Sequence, residues 1–128
     1  TEGKLAVVVN GQLMMHFDRG QRLAGLQRRA LEQMDEKLDG GIPVAGVMVE
    51  DPDPMLRAQF VASLLVGALF DGKDQKAASF CAWLATRIPD LNVVQAVETA
   101  DDSKIELVFD KTYEQMKNEH PVSFVKLN

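Results

Sequence analysis

Cysteine is almost missing from this sequence: Cys81 is the only one among 128 residues. A lone thiol closes no internal disulfide, so the fold cannot rest on a disulfide framework, and a reducing compartment suits it. Aromatic residues make up only 6% of the chain, with one Trp and one Tyr. Trp83, Tyr113 and the phenylalanines do not alternate with basic residues as they do on nucleic-acid-binding surfaces. Basic charge is in deficit, with 14 Lys and Arg against 19 Asp and Glu, for a formal net charge of -5. That balance disfavours a phosphate backbone and an anionic membrane surface, so neither nucleic acid nor membrane is an expected partner.

Membrane-length apolar runs are missing too. The apolar stretch FVASLLVGALF at 60–70, which has no charged residue, spans roughly 16 Å as a helix, well short of the ~20 residues a bilayer requires. At the start, TEGKLAVVVNGQ has no charged region followed by a long apolar run, so no secretory signal is expected and a cytoplasmic location is.

What is present is ordinary globular material: 46% hydrophobic and 26% charged residues. A chain of this length buries roughly two-thirds of its unfolded surface, and residues 1–128 are expected to form one globular domain. KLAVVV and QLMMHF flank Asn10-Gly11, which predicts a β-hairpin because both turn residues accept positive φ. DRGQRLAGLQRRALEQMDEKLDGG predicts a long helix, with Asp18 as N-cap and Gly40-Gly41 as terminator. Leu23, Leu26, Ala30, Met34 and Leu38 form its expected inner stripe, with Leu31 at the margin and Gly25 offering close packing. Val44 to Val49 fits a short strand or a loop, since Pro43 and Gly46 weaken the strand pattern.

Asp53-Pro54 then announces a helix by cap and first-turn proline. FVASLLVGALF is apolar around nearly the whole circumference of that helix, which predicts the buried centre of the domain or a position between the domain and a partner. Ser63 and Gly67, one turn apart, leave room for another backbone, though outside membranes that spacing has no specific dimerisation meaning. KDQKAASFCAWLATRI predicts a third helix stopped by Pro89, with Ala77, Cys81, Leu84 and Ile88 inward. NVVQAVET and KIELVFD around ADDS predict a second hairpin; SFVKL reads as an edge strand in an irregular tail. The expected fold is therefore α+β: an antiparallel sheet from an N-terminal and a C-terminal hairpin, packed against two or three helices including a buried central one.

Candidate chemistry is thin. His16 and His120 could each act as base or ligand, but neither sits at a recognisable ligand spacing. Glu50, Asp51 and Asp53 crowd one loop, yet EDPDP lacks the calcium-loop pattern. A metal-assisted enzyme would need His16 or His120 to meet Glu50 or Asp51 in space. Cys81, on the apolar face of a helix, reads as a small hydrophobe. GALFDGKDQ has no Walker spacing and LDGGIPVAG no dinucleotide fingerprint, so no cofactor is called for.

One local rule is broken. Arg19, Arg22, Arg28 and Arg29 precede Glu32, Asp35, Glu36 and Asp39 along the first helix, opposite to the dipole's preference. Two copies packed antiparallel would set each basic half against the partner's acidic half, making Arg22, Arg28, Arg29, Glu32, Asp35, Glu36 and Asp39 a candidate dimer face. Solvated charge is the plain alternative. The expected function is a non-enzymatic interaction or regulatory module acting as a homodimer. The alternatives are a small-molecule binding protein with a pocket between sheet and helices, and the metal-assisted enzyme.

Overall fold

The computed structural model describes residues 3–98, 100 and 103–119. In chain order the elements are β1 (Lys4–Val9), β2 (Gln12–Asp18), α1 (Gly25–Asp39), β3 (Ile42–Val44), β4 (Val47–Val49), α2 (Pro54–Phe70), α3 (Asp74–Arg87), β5 (Val93–Glu98), β6 (Ser103–Val108) and α4 (Tyr113–Glu119). The α+β class holds. Asn10 and Gly11 turn the first hairpin with φ of 51° and 82°, the left-handed pair that a two-residue turn demands. The Asn10 side chain also accepts the Glu98 N–H at 2.8 Å, tying this turn to β5. Val7 pairs with Met15 and Val8 with Leu13, so Met14 is the extra residue of a bulge.

The sheet differs from the antiparallel one expected. Its order is β2-β1-β5-β6, and β1 pairs with β5 in parallel; only the two hairpins are antiparallel. Burial explains the order. Leu5 to Val9 of β1 are all buried, as are Val93, Val94 and Ala96 of β5. Strands buried on both faces read as near-continuous apolar runs and take the centre, leaving the edges to β2 and β6. Helices α1, α2 and α3 lie between the two hairpins in the chain, and β5 returns running the same way as β1.

Helices α2 and α3 pack as a hairpin, α3 against β1 and β2 and α2 towards β6. Val61 and Leu65 of α2 and Cys81 and Leu84 of α3 share one core with Leu5, Val7, Val94 and Ala96 of the sheet and Leu31 and Leu38 of α1. The α2 start is as expected: Pro54 opens it, and the Asp53 carboxylate accepts the Leu56 N–H at 2.8 Å. Its burial is not. Ala58, Val61, Ala62, Leu65, Val66 and Ala68 are buried, while Gln59, Ser63, Leu64, Gly67 and Phe70 are exposed. The central helix is therefore enclosed on one side only.

Helix α1 begins at Gly25, not after Asp18. Asp18 ends β2 and accepts the Gly20 N–H at 2.9 Å, holding that stretch in a turn. The start is secured instead by Gln27, whose side-chain oxygen accepts the Ala24 N–H at 3.0 Å. The inner stripe rotates accordingly: Leu31 and Leu38 are buried, while Leu26 is 79% exposed. Gly25 has nothing within 4 Å of where a Cβ would stand, so it serves no close packing.

The ambiguous 44–49 stretch forms β3 and β4 of a separate two-stranded sheet, turned by Ala45 and Gly46 at φ 52° and 82°. After β6 the chain makes an unexpected helix, α4, capped by Thr112: its hydroxyl accepts the Gln115 N–H, and the Gln115 side chain accepts the Thr112 N–H. The expected SFVKL strand lies outside the described residues, as does His120. No helix among the described residues is long and apolar enough to cross a membrane.

Candidate functional site

Two acidic residues of the charge-segregated helix are already engaged within the chain. Asp35 accepts the Trp83 indole N–H at 2.7 Å and faces Arg87 of α3, whose Nη2 and Nε donate to Oδ2 at 2.7 and 3.1 Å. Burial by itself would raise the Asp35 pKa. The hydrogen bonds from Arg87 and Trp83, with the charges of Arg87 and Arg57, outweigh it and hold the carboxyl below its ordinary value. Asp39 pairs with Arg57 at 2.7 Å, and Arg57 also donates to the Pro52 carbonyl at 2.7 Å and reaches Asp51 at 3.4 Å. Together these contacts fasten α1 to α3 and to the start of α2.

Arg19 lies outside α1 altogether. Its guanidinium donates to the carbonyls of Ala85, Ile88 and Leu91 at 2.9, 3.1 and 2.5 Å. Those groups sit at and just beyond the C-terminal end of α3, where backbone carbonyls are unsatisfied and positive charge is favoured. Much of the apparent charge inversion dissolves once Arg19 and Arg22 are removed from the helix. The charged residues that remain exposed on α1 are Arg28, Arg29, Glu32, Glu36, Lys37 and Asp39.

The polar candidates are not brought together. His16 pairs with Ala6 across β1 and β2 and lines a concavity of about 480 Å³ with Lys4, Leu13, Asn92, Thr112 and Tyr113. Asp51 lines a different cleft of about 500 Å³, with Asp35, Arg57, Trp83 and Arg87. In that second cleft the arginines are neutralised by the carboxylates they fasten. Glu50 is exposed beside β4. Among the described residues no group of three His, Cys, Asp or Glu side chains could hold a metal ion. Cys81 is fully buried, and burial pushes its thiol up to about 12 against the opposing influence of Arg19. Such a thiol is neither accessible nor ionised at neutral pH.

The feature that ordinary folding leaves unexplained is the outward side of α2. Leu56, Gln59, Phe60, Ser63, Leu64, Gly67 and Phe70 fall within one arc at 100° per residue, and none is charged. Phe70 is 50% exposed and Leu64 38%; Leu56 and Phe60 are half-buried. Ser63 satisfies its own hydroxyl by donating to the Gln59 carbonyl at 3.1 Å. Gly67 has open space where a Cβ would stand. The one arginine of α2, Arg57, turns to Asp39 and Asp51 instead.

Comparison with protein-family models, curated proteins and solved structures found no match.

Proposed function

We propose that this chain is a non-enzymatic interaction module that works in the cytoplasm as a homodimer, through the outward side of α2. The observation that carries this reading is the absence of charge along that exposed arc. A water-facing helix side ordinarily carries charged residues; an apolar one marks an interaction surface. The α1 face is the weaker basis for a dimer, because Asp35 and Asp39 are held by Arg87 and Arg57 within the chain. The arc is short, and Leu56 and Phe60 are partly covered by the chain's own core, so two α2 sides packed together would lie at or below the ~1,000 Å² of a specific interface. The assembly is accordingly a modest one.

The concavity around His16 and Tyr113 supports a second reading, a small-molecule site with an apolar floor at Ala6 and Leu13 and polar walls. Its lining comes from β1 and β2 on one side and from Tyr113 and Glu114 of α4 on the other. A native mass spectrum of protein purified gently without chelator, set against its denatured mass, separates the two. A dimer with no added mass supports the module. A monomer carrying noncovalent added mass overturns it in favour of the pocket.

A further inference from the structure

We infer that the concavity around His16 and Tyr113 takes a small zwitterion with an apolar side chain, a free amino acid or a dipeptide. Its carboxylate lies towards the sheet and its ammonium towards α4. This rests on the small-molecule reading of that concavity, not on the dimer, and adds the ligand's class and direction.

Strand alternation builds the first wall. Leu5 and Val7 of β1 enter the core, so Lys4 and Ala6 stand on the opposite side of the sheet. His16 pairs with Ala6, and Leu13 pairs with Val8, which brings both to that same side. Tyr113 and Glu114 of α4 close the space from across it, leaving about 480 Å³, within the range of small-molecule sites.

Charge is divided between the walls. The sheet side carries the Lys4 ammonium and the His16 imidazole, and the α4 side the Glu114 carboxylate. Lys4 and Glu114 do not pair with each other, and neither pairs with any other described residue. Asp18 stands opposite Lys4 in the hairpin, and Lys117 lies one turn from Glu114 with its ammonium 6.0 Å over the Tyr113 ring; neither closes an ion pair. The Asp51 cleft differs, because there Arg57 and Arg87 are held by the carboxylates beside them. A ligand of one sign would face one of the two walls unfavourably, whereas a zwitterion set across the gap meets both. Ala6 and Leu13 give its side chain an apolar floor. Asn92, tied to the chain that leads into α4 by donating to the Phe109 carbonyl at 3.0 Å, keeps its side-chain oxygen to accept from the ammonium.

Proton chemical shifts of the His16 and Tyr113 rings read the site directly, Tyr113 being the only tyrosine. Titration with leucine or leucyl-leucine should move both. N-acetylation removes the ammonium and amidation the carboxylate, and each should weaken binding by roughly tenfold or more. Lys4→Gln should abolish the loss on amidation, and Glu114→Gln the loss on N-acetylation. Both side chains are exposed, so the urea midpoint of each variant should match wild type. Equal binding of the free, acetylated and amidated forms at these rings overturns the zwitterion while the small-molecule reading stands. A preference for the free forms that survives both substitutions overturns it as well. Rings that respond to none of the probes also overturn it; noncovalent added mass in the native spectrum then keeps the small-molecule reading, and no added mass removes both.

Discussion

Helices α1 and α2 treat their water-facing sides in opposite ways. α1 exposes Arg28, Arg29, Glu32, Glu36 and Lys37 and engages its other acids within the chain, Asp35 with Trp83 and Arg87 and the exposed Asp39 with Arg57. α2 exposes Leu64, Gly67 and Phe70 with no charge between them and turns its one arginine away. The lesson is that charge visible in a sequence is often already used within the chain, whereas Leu64 and Phe70 of the uncharged arc stay exposed. The first helix looked like an interface by its charges. The second is the better candidate by their absence.

The largest effect that could break this contrast is within α2 itself. Leu65→Ala, on the buried arc, should cost about 2–5 kcal/mol in urea unfolding. Leu64→Ala, the neighbouring outward residue, should change monomer stability by no more than about 0.5 kcal/mol. Equal losses would mean that the outward arc is packed and the contrast false.

On α1 the corresponding pair is Asp35 and Glu36. Asp35→Ala leaves the Trp83 N–H and the Arg87 guanidinium without their acceptor and should cost about 1–3 kcal/mol, with a shift in Trp83 emission. Glu36→Ala, exposed one residue on, should be silent by both measures. Asp53→Ala removes the α2 cap and should cost about 1 kcal/mol in the same unfolding experiment.

A smaller, local effect is expected in acid. The folded Asp35 carboxyl titrates below its unfolded value of about 3.9. Its stabilising contribution is therefore complete above that value and fades as pH falls through the lower, folded one. Wild-type Trp83 emission should change over that range, and Asp35→Asn should lack this component. An identical acid response in the two would show that the carboxylate does not hold the indole.

How much of this was legible depends on how local the determinants are. Asp53-Pro54 and Asn10-Gly11 act through the backbone of their own turns, so the α2 start and the first hairpin could be read from neighbouring residues. The Thr112–Gln115 capping box was equally local, and its spacing would have revealed α4 in what reads as an irregular tail. The parallel β1–β5 pairing depends on which strands are buried on both faces, a hint present in LAVVV but decided only by the whole sheet. Arg19 reads as a helix residue because nothing nearby in sequence shows that its partners are the carbonyls of Ala85, Ile88 and Leu91. Among the site residues, the charges of α1 were visible while the residues that engage them were not. The α2 arc was in view as an apolar run, but its open side appears only once the sheet and α3 have claimed the other.

The measurement that bears most directly on the α2 surface is sedimentation equilibrium on three proteins: wild type, Gly67→Glu, and the double variant Arg28→Glu with Arg29→Glu. Gly67→Glu adds a charge where the structure leaves open space, so the monomer should fold as before. Its self-association should weaken at least tenfold, about 1.4 kcal/mol, while the double α1 variant should associate as wild type does. Unchanged association for Gly67→Glu together with a loss for the α1 variant would contradict the account and return the interface to the charged helix.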